Sequence, residues 1–379
     1  MSHHFPAMHS PRTIRSDNTK HAFTLVELLV STAILSLVMV VLVSMVGQTG
    51  SMWHYTTSKI EQFREAREGY EAMTRRLSQA TLNTYWDYDN PNKPTRYIRQ
   101  SELRFISGPG LAGTNSSTPP RPTHSVFFFA PLGFVIPDST SDTTAQNYEG
   151  LENLLNLWGY FTEYGDDTPT KPTFVTALPR NRFRLYELMQ PSQDLTLYQL
   201  EKSKSGGNLA YVGHDWFQNA IAPAAASGSS RQAHVLAENV IALIILPKLT
   251  PQAQTAGNYT DASLAPNYFY DSTGTGMTTL GDANLNPKNQ LPPIVQVAMV
   301  AIDETSALRM TNADTSALNQ KLGSLFTNPN NFEADLEGTP GASSDNSLQA
   351  YLNKKRISYR IFTTDISIKG AKWSTNQKN

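Results

Sequence analysis

Residues Phe23 to Val46 form an apolar run that contains a single charged residue, Glu27. As an α-helix this run would be about 36 Å long, which is enough to cross the hydrocarbon core of a bilayer. An ordinary secretory signal has a shorter apolar region with a small-residue cleavage site after it, and this run has neither feature. The sequence therefore predicts one transmembrane helix close to the N-terminus.

Basic residues before the apolar run predict its orientation. Arg12, Arg15 and Lys20 precede it, against one acidic residue, Asp17. Because positively charged flanks stay on the cytoplasmic side of a membrane, the N-terminus is expected in the cytoplasm. Everything after Val46 is then expected to be exported.

The position of Glu27 needs an explanation, because an ionised carboxylate inside a bilayer costs about 3 kcal/mol on insertion scales. One interpretation is that the side chain lies near the interface and reaches water. The other is that a cation neutralises it, since a buried carboxylate is stabilised by an opposite charge and by satisfied hydrogen bonds. A cut just before Phe23 would supply that cation as a free α-amino group.

The residues on either side of this point resemble the type IV prepilin cleavage and methylation motif. The letters KHA and FTLVE match its short basic leader, its small residue and its Phe-Thr-Leu-x-Glu start of an apolar helix. The resemblance implies that a membrane prepilin peptidase cuts between Ala22 and Phe23 and methylates the new amino group of Phe23. It also implies that Glu27 pairs with the terminal amine of a neighbouring subunit. The family usually has glycine where Ala22 stands, and many major pilins have a mid-helix proline that this chain lacks.

A second helical pattern follows the apolar run. Its apolar residues alternate three and four apart, which favours a helix packed on the protein's own sheet over a coiled coil. They are Phe63, Ala66, Tyr70, Met73, Leu77 and Ala80.

Four segments are expected along the chain. They are a cytoplasmic leader at 1–22, a transmembrane and filament-core helix at 23–46, its continuation at 47–82, and an exported β-rich head at 83–379. The pilin resemblance implies the corresponding α+β fold, in which a long N-terminal helix packs on an antiparallel β-sheet head with long loops.

Six stretches of the head combine β-branched and aromatic residues with turn residues at their ends, which predicts strands. They are Leu103–Ser107, Ser125–Val135, Arg182–Gln190, His234–Pro247, Pro293–Asp303 and Arg356–Ile368. Residues 240–246 and 293–303 are apolar on both faces and therefore predict central strands. A change of parity in the last stretch predicts a bulge near Thr363–Asp365.

Two helices and several long loops complete the expected head. The helices are predicted at Glu149–Leu157 and Thr305–Leu325. Long polar stretches, among them 138–147 and 202–230, predict the loops. The aromatic residues Trp158, Tyr160, Phe161 and Tyr164 are expected to pack in the core beside the first helix, with an interaction surface as the alternative.

The paired segments ENVIALIILP and LPPIVQVAMVAI resemble the minor pseudopilins of type II secretion, particularly the J-type subunit. In that family a strand is followed, after a loop, by a Leu-Pro segment that opens the next strand. With its length and long loops, the whole sequence also resembles the Verru_Chthon cassette protein C group of prepilin-type proteins. These resemblances imply an inner-membrane protein with a periplasmic head that joins a filament of other pilin or pseudopilin subunits.

The segment TYWDYDNPNKP contains the candidate metal ligands. Asp87, Asp89, Asn90 and Asn92 place side-chain oxygens close together at partly alternating positions, a spacing that calcium loops favour. The glycine and the distal glutamate of an EF-hand are missing, and a solvated turn with Asx hydrogen bonds accounts for the same residues. Calcium is the one candidate cofactor, and both interpretations stay open.

Composition and the absence of motifs limit the other functions. The chain has no cysteine, which excludes disulfides and thiolate chemistry, and its formal charge of −1 gives no basic excess for nucleic acid. It has neither a G-x-x-x-x-G-K-[ST] phosphate loop nor a G-x-S-x-G nucleophile turn. Together with the filament role that the prepilin resemblance implies, this predicts a non-enzymatic filament subunit. The alternatives are a signal-anchored periplasmic binding or hydrolytic domain and a pilus-displayed adhesin.

Overall fold

The computed structural model describes twelve stretches of the chain. They are 24–114, 116–135, 153–166, 174, 181–195, 197, 214–222, 232–259, 261–274, 277, 286–339 and 346–374. The chain divides after Ser58 into two compact units, each of which is described by itself. The leader at 1–22, Phe23 and the predicted loop at 138–147 lie outside the described residues.

Helix α1 (Leu25–Gln62) begins in the first unit, and Gly47 does not interrupt it. Within it, the stretch Leu25–Thr49 is long and apolar enough to cross a membrane. This stretch buries none of its side chains among the described residues. A helix that is apolar on every side needs an apolar environment all round it, which lipid or neighbouring helices supply. The prediction of an N-terminal apolar helix is confirmed.

Helix α2 (Arg64–Leu77) belongs to the second unit and begins after Phe63, whose backbone is not helical. The predicted apolar stripe faces inward, with Met73 and Leu77 fully buried. The Tyr70 hydroxyl donates a hydrogen bond of 2.9 Å to the carbonyl oxygen of Val297 in the sheet below. The helix therefore packs on the protein's own strands, as its periodicity predicts.

The described residues of the head form three antiparallel sheets. A two-stranded hairpin consists of β1 (Tyr85–Tyr88) and β2 (Tyr97–Gln100). A six-stranded sheet has the order β7-β6-β5-β4-β3-β9, and a three-stranded sheet has the order β11-β10-β8. The bounds in these two sheets are β3 (Ile106–Pro109), β4 (His124–Pro131), β5 (Leu155–Gly165), β6 (Arg182–Gln190), β7 (Ala233–Glu238), β8 (Val240–Lys248), β9 (Tyr270–Asp271), β10 (Ile294–Ile302) and β11 (Tyr359–Ser367).

Six further helices are found among the described residues of the head. They are α3 (Asp215–Ile221), α4 (Pro251–Gly257), α5 (Glu304–Arg309), α6 (Asn312–Ser324), α7 (Phe332–Leu336) and α8 (Leu348–Lys354). Helix α3 lies inside the stretch 202–230 that the sequence predicts as a loop, and most of the rest of that stretch lies outside the described residues. Trp216 and Phe217 of α3 are buried against strands β4 and β5, so apolar packing overrides the polar composition around them.

Within the part of the head that the structure describes, three apolar clusters hold the layers together. The first joins α2 to the facing sides of the six-stranded and three-stranded sheets. The second covers the opposite side of the three-stranded sheet with side chains of α6, α7 and α8. The third covers the opposite side of the six-stranded sheet with α3. The fold is α+β with antiparallel sheets, as predicted.

The predicted helix at Glu149–Leu157 is wrong at its C-terminal end, because strand β5 begins at Leu155. Trp158, Tyr160 and Phe161 are buried on this strand, which confirms core packing for these three, whereas Tyr164 is only partly buried. Both faces of β5 are covered, by α2 and by α3, and the strand therefore lacks the alternation that identifies a half-exposed strand.

The predicted helix at Thr305–Leu325 is divided into α5 and α6. Thr311 starts α6, because its side chain accepts a hydrogen bond from the Asp314 backbone N–H while Asp314 accepts one from the Thr311 backbone N–H. This reciprocal capping box ends the preceding helix and starts the next one.

Two details of the three-stranded sheet differ from the prediction. Strand β10 is central, but among the described strands of this sheet β8 pairs with β10 alone, and β8 is buried because cluster residues pack on both its faces. Strand β11 pairs with β10 from Tyr359 to Ser367 without a bulge. The apolar positions of β11 change parity because both faces of the strand are packed. Ile361 packs with the helices on one side, and Phe362 packs with Tyr70 of α2 on the other.

The ring of Phe127 on β4 lies directly against Gly159 of β5, which predicts a large effect of a substitution there. A Cβ atom there would lie 2.5 Å from Cε1 of Phe127, whose ring stacks on Phe217 at 3.8 Å. We expect Gly159→Ala to lower the free energy of unfolding by about 1–3 kcal/mol through overpacking. Urea unfolding of the full chain measures it. Gly165→Ala, on the same strand, meets nothing closer than 3.8 Å and is the matched control; equal effects of the two would contradict the packing argument.

Candidate functional site

The first turn of α1 holds Glu27 in a capping box with Thr24. Oε2 of Glu27 accepts hydrogen bonds of 3.0 Å from both the backbone N–H and the hydroxyl of Thr24. In return, the Glu27 N–H donates to the Thr24 hydroxyl oxygen over 3.3 Å. The carboxylate therefore also satisfies a free donor at the helix start and lies at the positive end of the helix dipole. The spacing T-x-x-E in FTLVE was the sequence signal for this role, which sequence reasoning missed.

The hydroxyl groups farther along the apolar stretch bind to their own helix. Thr32 donates to the carbonyl oxygen of Leu28 over 3.1 Å, and Ser36 donates to that of Ala33 over 2.8 Å. Such bonds to the preceding turn remove the cost of placing a hydroxyl in an apolar environment. These hydroxyl groups are satisfied within the helix, whereas Glu27 carries the charge of this stretch.

The large apolar side chains of the stretch face outward on every side of the helix. From Leu25 to Val46 they are 45–80% exposed. An exposed apolar surface of this extent is unfavourable in water and marks a segment that is covered by lipid or by other chains. The chain thus presents one long apolar helix with a single carboxylate in its first turn.

The other residues of the predicted processing site are not part of this geometry. Ala22 and Phe23, the predicted cleavage position, lie outside the described residues. Pairing between Glu27 and a neighbour's amine stays a prediction.

The candidate calcium ligands lie on the hairpin and in its turn. Asp89 Oδ1 accepts hydrogen bonds of 2.9 Å from the backbone N–H groups of Asn90 and Thr95, and Oδ2 accepts one from the Thr95 hydroxyl. The Thr95 hydroxyl first, and then its backbone N–H, hold the pKa of Asp89 well below its usual range. The carboxylate is therefore already used to close the turn.

The side-chain oxygens of Asn90 and Asp87 have similar local uses. Asn90 Oδ1 accepts from the backbone N–H of Asn92 over 2.9 Å, and Asp87 Oδ1 accepts from that of Tyr88 over 2.7 Å. Among the described residues there is no group of three or more His, Asp or Glu side chains that could hold a metal ion. Calcium binding here stays a prediction, and the Asx turn accounts for the arrangement without it.

Comparison with known proteins adds one finding at the N-terminus. The family model of the prokaryotic N-terminal methylation motif matches residues 17–43. The chain has a type IV pilin-like N-terminus. The match begins before the predicted cut and ends inside the apolar stretch of α1, so it includes Ala22, Phe23 and Glu27.

The motif has direct implications for the pilin-like chain. It implies processing by prepilin peptidase and assembly with other pilin subunits. It is typical of proteins whose role is structural. The single apolar helix near the N-terminus is consistent with a signal-anchored protein inserted in a membrane. No curated protein matches the chain, and no solved structure matches it.

Proposed function

We propose that this chain is a non-enzymatic minor pilin- or pseudopilin-type subunit. Prepilin peptidase cuts it between Ala22 and Phe23 and methylates Phe23. The processed chain then joins a type IV pilus-like or type II secretion-like filament with other subunits. The observation that carries the proposal is the methylation motif at residues 17–43, which overlaps a helix whose apolar side chains face outward all round.

The apolar helix would serve two environments in turn. Before assembly it anchors the chain in the inner membrane, with the leader in the cytoplasm and the head in the periplasm. After assembly the same side chains pack against the helices of neighbouring subunits. The proposed division is therefore a leader at 1–22, a membrane and filament-core helix at 23–46, a continuation at 47–82 and a head at 83–379.

Glu27 would select the correct neighbour during this transfer. In an apolar bundle its carboxylate requires a cation, and the amine of Phe23 on an adjacent subunit supplies one. The capping box does not compete with this contact, because Thr24 occupies Oε2 and a carboxylate accepts more than one donor on each oxygen. Within this proposal, the subunit would be of the J-type pseudopilin kind or a member of the Verru_Chthon cassette protein C group, both of which the sequence resembles.

Mass spectrometry of the N-terminus tests the processing step. We expect the protein purified from membranes of its native cells to begin at N-methyl-Phe23. An intact leader, or a cut beyond Val46, would instead support a signal-anchored periplasmic binding or hydrolytic domain.

A pair of variants at the predicted cut provides the control. Ala22→Gly keeps a small residue before the cut and is expected to give the same mature N-terminus. Ala22→Leu introduces a bulky side chain and is expected to leave the leader attached. Identical processing of both variants would contradict cleavage at this position.

A further inference from the structure

The hairpin β1–β2 exposes an aromatic face that takes no part in the three apolar clusters of the described residues. Trp86 lies opposite Arg99, and Tyr88 lies opposite Tyr97. Because alternate residues of a strand share a face, these four side chains lie on one side of the hairpin. Trp86 is 59% exposed and Tyr97 is 61% exposed. Water therefore covers apolar rings that most folds place in the interior.

Hairpin stability explains only part of this face. The rings of Tyr88 and Tyr97 stack with their centroids 5.1 Å apart, and such a cross-strand pair stabilises a two-stranded sheet that is marginal by itself. The guanidinium carbon of Arg99 lies 5.6 Å from the centroid of the Trp86 ring. Arg99 also donates a hydrogen bond of 3.3 Å to the carbonyl oxygen of Lys372. Arg99 is thus held in place, while most of the Trp86 surface stays accessible.

A cleft of about 480 Å³ adjoins Trp86 and Arg99. Its walls come from four separate parts of the chain, which are residues 81–86, Arg99, residues 289–291 and residues 370–372. Asn289 holds the backbone of Arg99 in place at the cleft, because its side-chain amide nitrogen donates a hydrogen bond of 2.6 Å to the carbonyl oxygen of Arg99. A concave site with convergent polar groups and an aromatic wall is the usual form of a ligand site.

The charge of the cleft restricts the kind of ligand. Arg99 and Lys372 line it, and none of its described lining residues is acidic. Asp87 shares a face of β1 with Tyr85, which lines the cleft, but Asp87 itself is not a lining residue. The Thr84 side chain is exposed at the cleft and offers a hydroxyl group. The site therefore combines an aromatic surface, hydrogen-bonding groups and two positive charges.

We propose that this cleft binds an acidic polysaccharide, one whose sugar rings carry carboxylate groups. The C–H groups on the face of a sugar ring pack on the exposed ring of Trp86, whose face is negative and whose body is apolar. The sugar carboxylate pairs with Arg99 and Lys372, and the ring hydroxyls bind polar groups such as that of Thr84. Single-stranded nucleic acid would require a longer track of cations than the two that line the cleft.

Calorimetric titration of the full chain in lipid nanodiscs tests the proposal. The probes are oligogalacturonate, neutral maltohexaose and oligo-dT. We expect saturable binding of oligogalacturonate and at least about tenfold weaker binding of the other two. Trp86→Ala is expected to raise the Kd for oligogalacturonate at least about tenfold, because it removes the stacking surface.

Two further variants separate the site from general effects. Lys372→Gln keeps the shape of an exposed side chain and removes its charge, and it is expected to weaken binding of oligogalacturonate several-fold. Leu308→Ala removes an equally exposed apolar side chain from α5 and is expected to change nothing. Preference for maltohexaose or oligo-dT, unchanged binding in Trp86→Ala, or no binding of oligogalacturonate would each overturn the proposal. None of these outcomes depends on whether the leader is cleaved.

Discussion

Glu27→Ala is expected to leave the protein inserted in the membrane and to lower its incorporation into filaments strongly. Removing the carboxylate makes the helix more apolar, so insertion is not impaired. In the assembled state, however, the amine of the neighbouring subunit would lose its counter-charge. Breaking a buried pair in this way costs about 3–5 kcal/mol. The ratio of filament-bound to membrane-bound subunit, measured by quantitative immunoblot after shearing, reports the loss.

The capping box allows the charge of Glu27 to be separated from its hydrogen bonds. Glu27→Gln retains an acceptor for the Thr24 donors but carries no charge, and we expect it to be as defective as Glu27→Ala. Thr24→Ala retains the charge and removes the cap, which costs about 1 kcal/mol of helix stability, and we expect near-normal incorporation. The reverse result, a functional Glu27→Gln and a defective Thr24→Ala, would mean that Glu27 serves only as a cap.

Asp271→Ala is expected to be the most destabilising single change in the head. Asp271 is fully buried and Arg104 is 3% exposed, and the Arg104 Nε–H donates to Asp271 Oδ1 over 3.0 Å. Nη2 of Arg104 donates a second hydrogen bond to Oδ2 of Asp271. Asp271 also accepts from the backbone N–H and the hydroxyl of Thr273. The substitution leaves a buried guanidinium without this carboxylate and costs about 3–5 kcal/mol.

Urea unfolding of the full chain, with the double variant Arg104→Met/Asp271→Leu, tests this expectation. The double variant removes both charges and fills the space with apolar groups, so it is expected to recover much of the loss. The exposed pair of Arg64 and Glu68 on α2 is the control, since its N–O distance of 2.8 Å is equally short. Glu68→Ala is expected to cost at most about 1 kcal/mol. A similar cost for Asp271→Ala would show that burial of the pair does not matter.

Local sequence patterns predicted the helices and strands in which buried and exposed positions alternate regularly along the chain. The stripe of α2 was predictable because one side of the helix packs against strands and the other side faces water. The strand at Arg182–Gln190 agrees with β6 in its bounds. Strand β5 was missed because both its faces are covered, so burial no longer alternates with position. The hairpin β1–β2 was missed because its rings are exposed, against the usual preference of aromatic side chains.

The candidate assembly site is almost wholly a property of the sequence. The length of the apolar run, the T-x-x-E cap and the methylation motif all lie within about thirty consecutive residues, where a helix determines which groups meet. The acidic-polysaccharide cleft is the opposite case. Arg99 meets the carbonyl oxygen of Lys372 across 273 positions and the Asn289 amide across 190. Only the tertiary packing of the head brings those segments together, because contacts at such separations do not follow from local periodicity.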